Sequence, residues 1–166
     1  MAKEMGFNAI EVSDGTITLS DELREKAITW AVEMGFKVFS EVGKKEYNGH
    51  EDVQHLVDQV LADLRRGAYK VILEGRESGI GVGLYDNNGR FIEEDIDRLL
   101  EGISDPRVIL WEAPQKDQQQ ELITRFGPNV NLGNIPPGEV MAVEALRVGL
   151  RADTLKNVCD QSTLIR

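Results

Sequence analysis

Short apolar runs alternate along the chain with longer segments in which apolar residues recur every three or four positions. The runs predict five β-strands, at residues 8–13, 37–42, 69–74, 107–112 and 130–134. The intervening segments predict helices that start at Ser20, before Val53, near Glu94, at Gln115 and at Pro137. Strict alternation of hydrophobic strands with helices is typical of a parallel sheet in an α/β protein.

The strongest helical pattern lies between the second and third predicted strands. Its apolar positions share one helix face, and they are Val53, Leu56, Val57, Val60, Leu61 and Leu64. Gly67 is a typical stop after such a helix. The segment 84–92 surrounds an Asn-Gly pair and predicts a β-hairpin. Because no helix begins after the glycines of 79–83, they do not indicate a dinucleotide-binding loop.

Four of the five predicted strands end in a glutamate, and these residues are Glu11, Glu41, Glu74 and Glu112. A carboxylate is costly to bury unless it is partnered or binds a metal. The carboxyl ends of parallel strands meet at one edge of the sheet, where α/β proteins place their active sites. The pattern therefore predicts a cation site at this edge.

Basic and amide side chains follow the same strand ends. Lys44 and Lys45 lie just beyond the carboxylate that ends the second strand, where a lysine binds an anion or donates a proton, unless the two form only a solvated loop pair. Arg76 offers a fork for a phosphate or a sulfur oxyanion, or else forms a salt bridge with a neighbouring carboxylate. The segment 131–135 occupies a place where barrels often receive phosphate, although Asn and Gly are also plain turn residues. Two interpretations stay open at each position.

Composition narrows the class of protein. The 166 residues are 41% hydrophobic, which suits a single domain over residues 1–166 with a polar tail at 153–166. The net charge of −10 argues against an extended nucleic-acid surface, although it also fits a solvated acidic exterior. The single Cys159 fits a reducing compartment, and there is neither a signal core nor an apolar stretch of roughly 20 residues. We therefore expect a cytoplasmic protein that does not contact membranes.

Six stretches together resemble the phosphosulfolactate synthase family, and they appear in the family's order. They are residues 7–15 (FNAIEVSDG), 41–45 (EVGKK), 74–79 (EGRESG), 112–116 (EAPQK), 131–135 (NLGNI) and 144–154 (EALRVGLRADT). The similarity covers nearly all of the chain. It implies an enzyme that adds sulfite to phosphoenolpyruvate in coenzyme M biosynthesis, giving (2R)-phospho-3-sulfolactate. It also implies a TIM-type (β/α) barrel, a Mg²⁺ ion, and anion sites for the substrate phosphate and for sulfite.

The resemblance further implies that the chain corresponds to strands four to eight of an eight-stranded barrel. About five strand–helix units leave two apolar sheet edges uncovered, so we expect a homo-oligomer or a second polypeptide. An alternative is a truncated, non-catalytic family member, or a subunit whose barrel a partner completes. The residues alone also leave open a flavodoxin-like sheet, although the segment 13–16 is a poor match for the phosphate loop of such folds.

Matches to the family's motifs, together with strand-end position, suggest roles for several residues. Lys45 matches the family lysine proposed as the proton donor, which makes it the expected general acid. Arg76 is the expected catalytic anion clamp, and Lys44, Asn134 and Arg151 are expected to bind the substrates. Strand-end geometry, rather than a family assignment, makes three glutamates the expected Mg²⁺ ligands: Glu41, Glu74 and Glu112.

Overall fold

A computed structural model describes residues 1–14, 17, 19–43, 50–76 and 78–156, with the backbone alone for residues 50–52. Its core is one parallel sheet of five strands, β1 to β5, at Ala9–Val12, Lys37–Val42, Lys70–Leu73, Ile109–Glu112 and Leu132–Gly133. The strands lie side by side in chain order, from β1 at one edge to β5 at the other. A flavodoxin-like sheet reverses its order partway across, so the sequential order contradicts that alternative.

Five α-helices alternate with the strands as the hydrophobic pattern predicts. They are α1 (Asp21–Glu33), α2 (His50–Arg65), α3 (Glu93–Gly102), α4 (Lys116–Phe126) and α5 (Val140–Arg147). The predicted start at Ser20 is confirmed, because its hydroxyl accepts the Leu23 backbone N–H at 3.3 Å as an N-cap. A 3₁₀ turn at Pro137–Glu139 leads into α5.

Three predicted elements differ from the structure. The strand predicted at 107–112 starts at Ile109, because Asp105 caps a 3₁₀ turn at Pro106–Val108 through the Arg107 N–H. The strand predicted at 130–134 is reduced to Leu132–Gly133. The hairpin predicted at 84–92 has only isolated antiparallel bridges, because the Asp86 carboxylate accepts the N–H groups of Asn88 and Arg90 and closes a tight local turn.

All the helices that pack on the sheet share one of its faces. Val38 of β2 packs with Ile28 of α1, while Val42 on the same face of β2 belongs to the main core with α2 and α4. The opposite face carries Phe39, Ile72 and Leu110, which lie outside the three hydrophobic clusters of the described residues. One-sided winding of a sequential parallel sheet is compatible with part of a TIM-type fold.

The segment after α5 includes a short helical stretch and a buried hydroxyl contact. Residues 152–156 are helical, and the buried Thr154 hydroxyl donates a hydrogen bond to the Leu146 carbonyl at 2.6 Å. The remainder of the predicted polar tail, residues 157–166, lies outside the described residues. Within the described ranges, no helix is long and apolar enough to cross a membrane.

The two sides of α1 provide a test of this packing. Ile28 is fully buried, whereas Leu23 on the same helix is 54% exposed. We expect Ile28→Ala to lower the free energy of unfolding by about 2–5 kcal/mol, since it leaves a cavity. Leu23→Ala should change it by less than about 0.5 kcal/mol. Urea unfolding of both variants measures the difference, and equal losses would contradict the assigned helix face.

Candidate functional site

The carboxyl ends of β2, β3 and β4 bring three of the predicted glutamates together. The side chains of Glu41 and Glu74 share a hydrogen bond, and Glu112 lies within electrostatic reach of both. Glu11, at the end of β1, adds a fourth negative charge from a more exposed position. We call Glu41, Glu74 and Glu112 the strand-end carboxylates.

A backbone turn after β3 organises two of these carboxylates. The N–H groups of Gly75 and Arg76 donate to Glu112 Oε2 at 2.9 and 3.1 Å. The Arg76 N–H also donates to Glu74 Oε1 at 2.9 Å. Because one pair of amides contacts both carboxylates, the turn links the ends of β3 and β4.

Asn134 fastens the same turn from the end of β5. Its side-chain Nδ2 donates to the Arg76 carbonyl at 2.8 Å. Arg76 and Asn134 have φ angles of +53° and +54°, and they are the two non-glycine residues with positive φ among the described residues. Backbone strain of this kind persists where the surroundings impose it, and it clusters at functional sites. The amide predicted to contact a substrate therefore also holds the turn that bears Arg76.

Glycines permit the close approach of these strand ends. A Cβ atom on Gly75 would lie 2.7 Å from the Glu112 carbonyl oxygen, and one on Gly83 would lie 2.6 Å from the Glu74 carbonyl oxygen. A Cβ on Gly43 would lie 3.2 Å from the Cβ of Glu74, and this residue has a φ of +110°. Side chains at these positions would push the strand-end carboxylates apart.

Burial and mutual repulsion change the protonation of the carboxylates. Burial first, then the charge and hydrogen bond of Glu74, then the charges of Glu11 and Glu112 together raise the pKa of Glu41 to about 8. Burial also raises the pKa of Glu112, although the N–H groups of Gly75 and Arg76 oppose the shift. A bound cation would relieve the same repulsion that a proton relieves on Glu41.

The donor set suits a hard cation. Its side chains offer only oxygen, which Mg²⁺ prefers, and Mg²⁺ is usually held by one or two carboxylates together with water and substrate. In the ranges that the structure describes, no three His, Cys, Asp or Glu side chains are already arranged as a metal-binding group. The fit is therefore to an ion with one or two protein ligands rather than to a closed protein cage.

The other predicted site residues fall into two groups. Lys44 and Lys45 lie outside the described residues. Arg151 follows α5 and pairs with Asp153 at 3.6 Å. Arg147, in the last turn of that helix, donates to the Pro128 carbonyl at 2.7 Å. The predicted substrate contact of Arg151 stays a prediction.

Two supporting residues were missed from the sequence. The Tyr85 hydroxyl donates to the Glu112 carbonyl at 2.7 Å. Gln118 is buried, and its Nε2 donates to the carbonyls of Gly79 and Gly89 at 2.8 and 2.9 Å. The sequence gives no clear signal for Gln118. A single glutamine in a helical pattern is usually read as a surface residue, although Gln118 lies on the buried face of α4.

Replacing Gly75 tests the close approach of β3 and β4. Gly75→Ala should lower the free energy of unfolding by about 1–3 kcal/mol, because the new methyl group overlaps the Glu112 carbonyl. Gly138→Ala is the matched control, since a Cβ there meets no atom within 4 Å. Its effect should stay within about 0.5 kcal/mol. Equal effects in urea unfolding would show that the two strand ends are not this close.

The raised pKa of Glu41 predicts a pH-dependent stability. Between pH 4.5 and about 8 the folded chain holds a proton on Glu41 that the unfolded chain has released, so this group makes stability fall as pH rises. Glu41→Gln should therefore gain stability relative to the wild type across this window. Since the carboxyl is half exposed, we expect a gain of about 1 kcal/mol at pH 9 after allowing for solvent screening.

Urea unfolding at pH 5, 7 and 9 measures that gain, with the exposed Glu101→Gln as control. A difference between Glu41→Gln and wild type that does not grow with pH would contradict the arrangement of the cluster.

Comparison with known proteins identifies the family. The sequence profile of (2R)-phospho-3-sulfolactate synthase (ComA) matches residues 1–153. The phosphosulfolactate synthase of Methanothermobacter thermautotrophicus is 45% identical over 159 residues, which cover 95% of this chain and 61% of the relative. Those of Methanocaldococcus jannaschii and Bacillus subtilis are 44% and 39% identical, over 94% and 90% of this chain and 62% and 59% of theirs.

The chain thus spans about three fifths of the length of these curated relatives. The matched residues include all five strands of the sheet and helices α1 to α5. The chain belongs to the (2R)-phospho-3-sulfolactate synthase family.

Proposed function

We propose that the chain serves the Mg²⁺-dependent addition of sulfite to phosphoenolpyruvate, giving (2R)-phospho-3-sulfolactate. The observation that carries the proposal is the group of strand-end carboxylates, linked by the turn that bears Arg76, in a member of this family. The sulfur lone pair of sulfite forms a bond to the methylene carbon of phosphoenolpyruvate. The double-bond electrons move to the neighbouring carbon, which takes up a proton.

In this proposal Glu41 and Glu74 would hold Mg²⁺, and Glu112 would support them through the Gly75–Arg76 turn. The ion would supply Lewis-acid stabilisation of the negative charge that develops on the substrate carboxylate. To hold the cation, Glu41 would release its proton, because proton and cation relieve the same repulsion. Cation affinity should therefore rise with pH.

Anion recognition and proton transfer fall to the basic residues of the same edge. The Arg76 guanidinium would clamp sulfite or the substrate phosphate, since its planar fork matches such oxyanions. Asn134 keeps the Arg76 backbone in its left-handed conformation through the carbonyl contact, and its position at the end of β5 suits a phosphate contact. Lys44 would add positive charge for the anions, and Lys45 would protonate the carbon next to the new C–S bond as general acid.

We also propose that the sheet forms part of a TIM-type barrel, with β1 to β5 as strands four to eight. One-sided winding supports this, because a barrel needs all helices outside the strands. The uncovered edges at β1 and β5 would then be paired in a homo-oligomer or by a second polypeptide. A second candidate is a non-catalytic member of the family, or a subunit whose barrel a partner completes.

The assay is sulfite-dependent consumption of phosphoenolpyruvate by the purified chain with Mg²⁺. Lys45→Ala should lower kcat by about 10²–10⁴-fold, because it removes the proton donor. Lys26→Ala is the control, since Lys26 lies on the exposed surface of α1 and pairs with Glu22. Near-normal turnover in Lys45→Ala would reject the assignment of the general acid. A folded wild-type chain that shows no turnover would favour the non-catalytic candidate.

A further inference from the structure

A buried arginine contacts the backbone of the candidate site from the helix layer. Arg24 of α1 is 2% exposed, and its partner Asp63 of α2 is fully buried. Arg24 Nε lies 3.1 and 3.0 Å from the two Asp63 carboxylate oxygens, and Nη2 donates to Oδ2 as well. Nη2 also donates to the Glu41 carbonyl oxygen at 2.7 Å. Arg24 thus touches the backbone of a strand-end carboxylate, although its own side chain lies among the helices.

The hydrogen bond from Arg24 to the Glu41 carbonyl lies where β2 is no longer paired with β1. The last register pair between β1 and β2 is Val12 with Ser40, so Glu41 is one residue beyond the paired part of β1. Strand β3 continues on the other side and pairs Glu41 with Ile72. At this one-sided strand end the Glu41 carbonyl accepts a hydrogen bond from Arg24.

A contribution to stability does not by itself explain why Arg24 and Asp63 are buried as an ion pair. Two buried charges cost desolvation, and apolar residues of similar volume often replace such a pair without loss of stability. The pair is also imperfectly satisfied, because Arg24 Nη1 finds no acceptor in the part of the chain that the structure describes. Asp63 therefore orients a guanidinium whose remaining specific contact is the Glu41 carbonyl.

We propose that Arg24 is a positioning residue, which acts through the Glu41 carbonyl to fix the end of β2 and so to aim the Glu41 side chain at Glu74. Asp63 contacts the Arg24 guanidinium at two nitrogen atoms, and a lysine in place of Arg24 could not make this two-point contact. The role of Arg24 in turnover rests on the proposed function. Its effect on the backbone of β2 does not.

The double variant Arg24→Met/Asp63→Leu separates positioning from folding. It removes both buried charges together, so the fold should be retained. Asp63→Leu alone would leave the Arg24 charge buried without its carboxylate, and Arg24→Met alone would leave Asp63 with only the 3.4 Å contact to Arg66. It also removes the donor to the Glu41 carbonyl. Arg66→Met is the matched control, because Arg66 contacts the same Asp63 carboxylate at 3.4 Å and has no contact with Glu41 among the described residues.

Two readouts are compared in the full chain. Hydrogen exchange of the peptide carrying residues 41–43 should quicken about tenfold or more in the double variant, relative to Arg66→Met, while exchange in β4 stays the same. If the chain turns over substrate, kcat should fall about tenfold or more in the double variant with KM for phosphoenolpyruvate nearly unchanged. If the Arg24–Asp63 pair served only to stabilise the fold, hydrogen exchange at residues 41–43 and kcat in the double variant would both match those of Arg66→Met.

Unchanged exchange at residues 41–43 in the folded double variant would overturn the proposal. So would faster exchange together with a wild-type kcat. A wild-type chain without turnover would count against the proposed function alone, because hydrogen exchange then still decides whether Arg24 fixes the end of β2.

Discussion

Three carboxylates held at one edge of a parallel sheet repel one another, and the surrounding structure supplies the contacts that keep them there. The amides of Gly75 and Arg76 stabilise Glu112 and Glu74, and the absence of side chains at three glycines lets the strand ends approach. Asn134 holds the turn from β5, and Arg24 holds the end of β2 from the helix layer. Residues far apart in the sequence thus stabilise one concentrated negative charge.

Periodicity was sufficient to predict the α/β class, all five helices and the existence of five strands, because each element buries one face. It also placed Glu41, Glu74 and Glu112 at one edge, since parallel strands share their direction. It could not predict Arg24 and Asp63, because charged residues on helices ordinarily face water. Nor could it predict that Asn134 would contact Arg76, 58 residues away, since that contact depends on how two left-handed backbone conformations meet.

Family membership and geometry contribute different parts of the account. The proposed reaction is based on the names of the relatives. The structure adds a cluster of carboxylate oxygens, a strained turn and helices on one face of the sheet. Asn134 shows why the two have to be combined, because the motif made it a candidate substrate contact and the structure shows that it also holds the Arg76 carbonyl.

The most direct test of the central claim, that the strand-end carboxylates form one cation site, is the thermal unfolding midpoint as a function of Mg²⁺ concentration. It would be measured at pH 8 and constant ionic strength, for the wild type and for Glu41→Gln/Glu74→Gln. An ion that binds the folded chain alone raises its midpoint by mass action. We expect a saturable rise in the wild type that the double variant loses. No rise in the wild type, or an equal rise in both proteins, would contradict the account.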